Sequence, residues 1–124
     1  YISAISRKKI TKGKILSIDT KPMRPLINVK FINSDIFDFY TKKQIDNYFG
    51  GDLDVIISDM AADTTGNKSL DSIRTNQLCA EAINFSSKLL KNNGIFVSKL
   101  FMGEDFINVK NLAKSVFKYV PFFK

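Results

Sequence analysis

The run Leu53-Asp54-Val55-Ile56-Ile57-Ser58-Asp59 reads as a strand buried within a sheet, because its β-branched character is nearly continuous, and it ends in a carboxylate. Residues 60–70 after it are small and polar, as a loop would be. A helix is predicted over about 71–92, with Leu78, Ala82, Phe85 and Leu89 recurring on one face. Gly94 is the expected stop, and Ile95-Phe96-Val97-Ser98-Lys99-Leu100-Phe101 is a second buried strand. An amphipathic helix should follow over about 105–117, turning Val109, Leu112, Ala113, Val116 and Phe117 inward, and Lys118-Tyr119-Val120-Pro121-Phe122-Phe123 reads as the start of a further strand.

Upstream the same alternation holds. Lys14-Ile15-Leu16-Ser17-Ile18-Asp19 is a short apolar run closed by an acid, and Pro22 and Pro25 forbid a helix directly after it. Val29-Lys30-Phe31-Ile32-Asn33-Ser34-Asp35 alternates at period two and again ends in an acid. Thr41-Lys42-Lys43-Gln44 has the form of a capping box opening a short helix with Ile45, Tyr48 and Phe49, ended by Gly50-Gly51. Strands alternating with helices predict one α/β domain with a mostly parallel sheet. Ligands of such sheets bind outside the carboxyl ends of the strands. Asp19, Asp35, Asp59 and Lys99 should therefore face one crevice.

Each of these residues has two readings. Asp19 suits the ribose hydroxyls of a nucleotide, and equally suits a turn before Pro22. Asp35 could accept from an adenine amino group, although a simple cap explains it more economically. Asp59 and Lys99 end strands expected to be neighbours, with backbones about 5 Å apart. A lysine closing so apolar a run is partly desolvated. In general, desolvation and other cations lower a lysine's pKa from its ordinary value near ~10.4, and a nearby carboxylate raises it. Tuned toward neutrality, such an amine can take a proton from a hydroxyl. Otherwise it forms an ion pair with Asp59 or reaches out to water.

Composition limits the chemistry. There is no histidine among the 124 residues, so Ser-His-Asp and Cys-His catalysis and histidine-held metals are excluded within them. The single Cys79 cannot form an internal disulfide, fits a reducing compartment, and reads as a small apolar residue on a buried helix face. No apolar run approaches the roughly 18 residues of a membrane span. No signal peptide is visible, but the chain starts at Tyr1 and reads as a piece of a longer protein. The net charge of +7, with Arg7-Lys8-Lys9, Lys12, Lys14, Lys21, Arg24, Lys42, Lys43, Lys68 and Arg74, favours polyanions. Solvation of an ordinary surface explains those lysines as well.

The same residues resemble the FtsJ family of heat-shock ribosomal RNA methyltransferases. Asp19-Thr20-Lys21-Pro22-Met23-Arg24-Pro25 is similar to its D-x-x-P-M-x-P segment. Ser58-Asp59-Met60-Ala61 is similar to its S-D-M-A motif, and Val97-Ser98-Lys99-Leu100-Phe101-Met102-Gly103 to V-x-K-x-F-x-G. The resemblance covers nearly the whole chain. It implies a Rossmann-like S-adenosylmethionine-dependent methyltransferase fold and methylation of a ribose 2′-hydroxyl in RNA, on a uridine of large-subunit ribosomal RNA. It also implies S-adenosyl-L-methionine bound by Asp19, Asp35 and Asp59, catalysis by Lys99 with Asp59, and no metal. A monomeric cytoplasmic enzyme acting on ribosomal RNA, within the large ribosomal subunit or free of it, is the corresponding expectation.

Ala62 stands where the family usually has proline. The family's glycine-rich first motif and first tetrad lysine are expected before Tyr1, and its final glutamate after Lys124; Glu104 matches no family acid. The 124 residues are thus expected to be a single partial methyltransferase domain, incomplete in its first and last strands, inactive alone and marginally stable. The strands ending at Asp19 and Asp59 would lack their shared partner, which predicts a gap in the sheet or another chain filling it. Two other functions compete. A Rossmann oxidoreductase leaves S-D-M-A and Lys99 unexplained. A non-catalytic RNA-binding module would use the basic charge with Tyr1, Tyr40 or Tyr119 as stacking surfaces.

Overall fold

The computed structural model describes residues 2–8, 12–103 and 105–123. Tyr1, Lys9 and Glu104 lie outside the described residues, and of Arg7, Lys8 and Lys12 only the backbone is described. The elements run β1 (Ile2–Lys8), β2 (Lys12–Asp19), β3 (Val29–Asn33), α1 (Phe39–Phe49), β4 (Leu53–Ser58), α2 (Lys68–Leu89), β5 (Leu90–Ser98) and α3 (Phe106–Val116). They fall into two compact units. One holds the residues up to Asp59 with Leu89–Val97, and the other holds Met60–Lys88 with the residues from Ser98 on.

The first unit is a five-stranded sheet in the order β3-β2-β1-β4-β5, with α1. β2 and β3 are parallel, Ile15 pairing with Val29 and Asp19 with Asn33. β1 is antiparallel to both β2 and β4, so β2, β3 and β4 all point one way. The expected gap is therefore filled, and by the chain itself. Left open, the facing edges of β2 and β4 would expose a row of unpaired N–H and C=O groups, and the nearest segment able to pair with them is the one just before β2. Only three residues separate Lys8 from its partner Lys12, so β1 enters as the antiparallel arm of a hairpin.

Leu16, Ile18, Leu53 and Ile56 are buried on these strands, as the apolar runs predict. α1 begins earlier than Thr41. Asp38 is its N-cap, accepting from the Tyr40 N–H at 2.8 Å, and Thr41 turns inward, where its hydroxyl meets that of Ser34 at 2.7 Å. Gly50 closes the helix at φ 66°, the left-handed cap expected of it. Lys14 Nζ donates to the Tyr48 carbonyl at 3.0 Å, and Lys14 and Lys30 both lie over the Tyr48 ring, tying the end of α1 to β2 and β3. Gly94 does not stop a helix; it lies within β5. A Cβ there would stand 2.9 Å from the Lys91 carbonyl oxygen and 3.3 Å from that of Asp54. Close approach of backbone is thus what requires glycine at this position. The Lys91–Asp54 ion pair, at 2.6 Å, fastens the same corner.

In the second unit α2 starts and ends about three residues before its predicted limits, and its buried residues are Thr75, Asn76, Cys79, Ala82, Ile83 and Ser86. Of the predicted inward set only Ala82 is fully buried; Leu78, Phe85 and Leu89 are half-buried. α3 matches its prediction closely and buries Val109 and Ala113. Residues 118–123 form no strand; Phe122 instead packs its ring on Phe106, with centroids 5.4 Å apart.

Candidate active site

Three of the four predicted site residues gather at one end of the first unit. Ile2 pairs with both Ile18 and Ser58, so these two stand level across β1. Asp19 and Asp59, each one residue further on, leave the carboxyl ends of β2 and β4 two strand spacings apart, roughly 10 Å. Asp35 follows the Asp19–Asn33 pair by two residues at the same end.

Local turns set the first two acids. Asp19 Oδ1 accepts from the Lys21 N–H at 3.0 Å, which bends the chain toward Pro22. Met23 then folds back to take a hydrogen bond from the buried Ser17 hydroxyl at 3.8 Å. Asp35 Oδ1 accepts from the Phe37 N–H at 3.0 Å, in the same two-residue geometry. The turn role and a ligand role are therefore compatible, because each carboxylate keeps its second oxygen unengaged by any described residue. Asp19 is half-exposed and Asp35 exposed, open to donors from a ligand. The buried Ser58 hydroxyl just before Asp59 also has no partner among the described residues. These unused acceptors suit a nucleoside carrying hydroxyl and amino donors.

Lys99 belongs to the second unit and directly follows β5, which neighbours β4 in the sheet order. It is half-buried. Its ammonium lies 5.3 Å from the centroid of the Phe101 ring, and its carbonyl accepts from the Ser98 hydroxyl at 3.1 Å. Periodicity did not reveal what holds this segment. The Asn76 side chain is bonded to both the N–H and the C=O of Phe101. The neighbouring Thr75 hydroxyl accepts from the Ala62 N–H at 3.1 Å. The available signal was a stripe of small and polar residues at helical spacing, Thr75, Cys79, Ala82 and Ser86, which apolar patterning passes over.

In the first turn of α2, Asp71 accepts from the N–H of Thr65, in the loop after β4, at 2.9 Å and from the Thr65 hydroxyl at 2.8 Å. These bonds hold its carboxyl below the usual carboxylate range. Lys68, Ser69, Ser72, Met102 and Gly103 line a recess of about 280 Å³ in the same unit. Burial pushes the Cys79 thiol up, as befits a packing residue and not a nucleophile.

The profile of the FtsJ-like methyltransferase family matches residues 2–124. The chain belongs to this family. The chain is 40% identical, over its whole length, to the ribosomal RNA large subunit methyltransferase E of Pelagibacter ubique, of which it covers 59%. It is 41% identical over 112 residues to the enzyme of the same name from Rickettsia akari, covering 90% of this chain and 49% of that one. It thus spans only about half the length of such FtsJ-like relatives. A crystal structure described as that of a ribosomal RNA methyltransferase from Plasmodium falciparum superposes with a TM-score of 0.82 at 27% identity, over 90% of this chain and 65% of that one. The α/β fold of this chain is accordingly the Rossmann-like fold of FtsJ-like methyltransferases; in this chain β1 runs antiparallel to both β2 and β4.

Proposed function

We propose that the full-length protein is an RNA ribose 2′-O-methyltransferase acting on a uridine of large-subunit ribosomal RNA. The observation that carries this reading is the convergence of Asp19, Asp35 and Asp59 at one end of the parallel strands in an FtsJ-like chain. The second oxygens of Asp19 and Asp35 would take the ribose and adenine donors of S-adenosylmethionine, with Asp59 beside them. Bound there, that cofactor supplies a methyl group activated by its positive sulfur. Lys99 would receive the proton of the RNA 2′-hydroxyl. General-base help of this kind is worth about 10²–10⁴-fold in rate. Holding the ribose oxygen in line with the methyl group is the remaining task of the protein, and positioning of this sort removes much of a barrier.

A second reading, a non-catalytic RNA-binding module, draws on the exposed rings of Phe39, Tyr40 and Tyr119, with Lys43 over Phe39 at 4.8 Å. The test is transfer of labelled methyl from S-adenosylmethionine to under-methylated large ribosomal subunits by the full-length protein, with and without Lys99→Ala. Label in a dinucleotide resistant to alkali, lost in the variant while cofactor still binds, is the expected result. Full activity in Lys99→Ala would remove that lysine from the chemistry. RNA binding without any transfer by the wild type would favour the module.

A further inference from the structure

We infer that Asn76 is a positioning residue for Lys99 and that, with Thr75, it sets the two loops of the second unit on one rigid turn of α2. The inference deepens the methyltransferase reading and rests on it for the role of Lys99.

Both side chains are almost wholly buried, Thr75 at 1% exposure and Asn76 at 0%. Asparagine is a poor helix former, and a buried amide is costly unless its donors and acceptor are met. An apolar residue of similar volume would fill the space without that cost, so packing alone does not account for Asn76. What it does is specific. Its Nδ2 donates to the Phe101 carbonyl at 2.9 Å and to Asp105 Oδ1 at 2.9 Å, while its Oδ1 accepts from the Phe101 N–H at 2.9 Å. The amide thus occupies both backbone groups of one residue, as a paired strand would, just where the chain has left β5. Phe101 is two residues from Lys99.

Asp105 supplies an independent sign. It stands at the N-cap of α3, where an aspartate ordinarily bonds its own helix, yet its side chain makes no cap bond. Its carboxylate is given to Asn76 instead. On the preceding residue, Thr75 Oγ1 takes the Ala62 N–H, three positions after Asp59 in the chain. Adjacent residues of one helix therefore fix the loop that follows the S-D-M-A motif and the loop that carries Lys99.

The experiment uses the full-length protein as wild type, Asn76→Asp, and Asn76→Asp combined with Asp105→Asn. Asn76→Asp keeps size but loses the donor and sets two carboxylates against each other. The added Asp105→Asn restores a donor between the two positions and relieves the repulsion, but leaves the Phe101 carbonyl without one. Deuterium exchange over residues 99–103 and steady-state methyl transfer are measured on each. We expect faster exchange in Asn76→Asp, a kcat lower by about 10²-fold with little change in the KM for S-adenosylmethionine, and both defects retained in large part in the double variant, because the Phe101 carbonyl still has no donor. Unchanged exchange overturns the proposal whatever the activity. Faster exchange with wild-type kcat overturns it too, and so do wild-type exchange and kcat in the double variant, which would place the whole defect in the Asp105 contact. Should Asn76→Asp fail to fold, Asn76→Ser is judged by the same two measurements. A wild-type protein that transfers no methyl overturns the function reading instead, and exchange alone then decides whether Asn76 holds the loop.

Discussion

The acids of the first unit and the loops of the second are held in place by opposite means. Asp19 and Asp35 are each fixed by a backbone N–H two residues further along. The loop after Asp59 is fixed from 13 residues away by Thr75, and the Lys99 segment from 25 residues away by Asn76. Local turns place a side chain as soon as the strand before it forms. The distant bonds exist only once α2 is packed. The difference teaches that the two halves of the proposed chemistry depend on different things: nucleoside contacts on short sequence signals, and the base on the integrity of a helix interior.

Five substitutions break or sharpen that contrast, taken from the largest effect to the smallest. Gly94→Ala tests a close approach of backbone in the first unit, to the nearby Lys91 carbonyl and to the distant Asp54 carbonyl at 3.3 Å. Its Cβ would stand 2.9 Å from a carbonyl oxygen that cannot rotate away. A loss of about 1–3 kcal/mol in urea unfolding is expected, and wild-type stability would show that β5 can shift cheaply. Thr75→Val keeps the shape and removes the acceptor for the Ala62 N–H. A loss of about 1–2 kcal/mol is expected, with faster hydrogen exchange over residues 60–64 and none over 19–23. Equal effects on both loops would erase the distinction.

Asp19→Asn and Asp35→Asn keep an oxygen for the local turn but lose the charge. Stability should move by no more than about 0.5 kcal/mol, while affinity for S-adenosylmethionine, read by calorimetry on the full-length protein, falls. Unchanged affinity would leave these acids as turn formers only. The smallest effect is electrostatic. Asp71 has its carboxyl lowered in the folded state by the Thr65 N–H and hydroxyl. Its contribution is therefore present above the ordinary carboxylate pKa and disappears as pH falls through the lower folded value. Asp71→Asn should flatten that acid limb of the stability curve slightly, and a steeper limb would contradict the assignment.

The same contrast explains what could be read in advance. The strands ending at Asp19, Asp35 and Asp59 announce themselves by apolar runs closed with acids, and their parallel order follows from alternation with helices. Thr41-Lys42-Lys43-Gln44 imitates a capping box, but Asp38 is an equally good cap three residues earlier, and Thr41 is needed inside by Ser34. The buried face of α2 was misplaced because apolar periodicity counts Leu78 and Phe85 and passes over Thr75, Asn76 and Ser86, which the structure buries. A buried polar residue is legible only from its partners, and those lie far along the chain. The strand filling the sheet centre was missed for another reason. Ile2-Ser3-Ala4-Ile5-Ser6 has little pattern of its own, and its state is set by the vacancy beside it.

The hairpin also bears on the order of assembly. β1 and β2 meet first across three residues, from Lys8 to Lys12, whereas the parallel pairing of β2 with β3 must bring Ile15 to Val29. Hairpins form within about 1–10 μs, and pairings between more distant residues must first overcome a larger loop-closure entropy. The β1–β2 hairpin is thus expected to form first, then the β2–β3 pairing, and last the pairing of β1 with β4, which must bring Ile5 to Val55. In a longer chain, any parallel strand bound for the same position would arrive to find it taken, and its rate of entry would be set by how fast the hairpin opens.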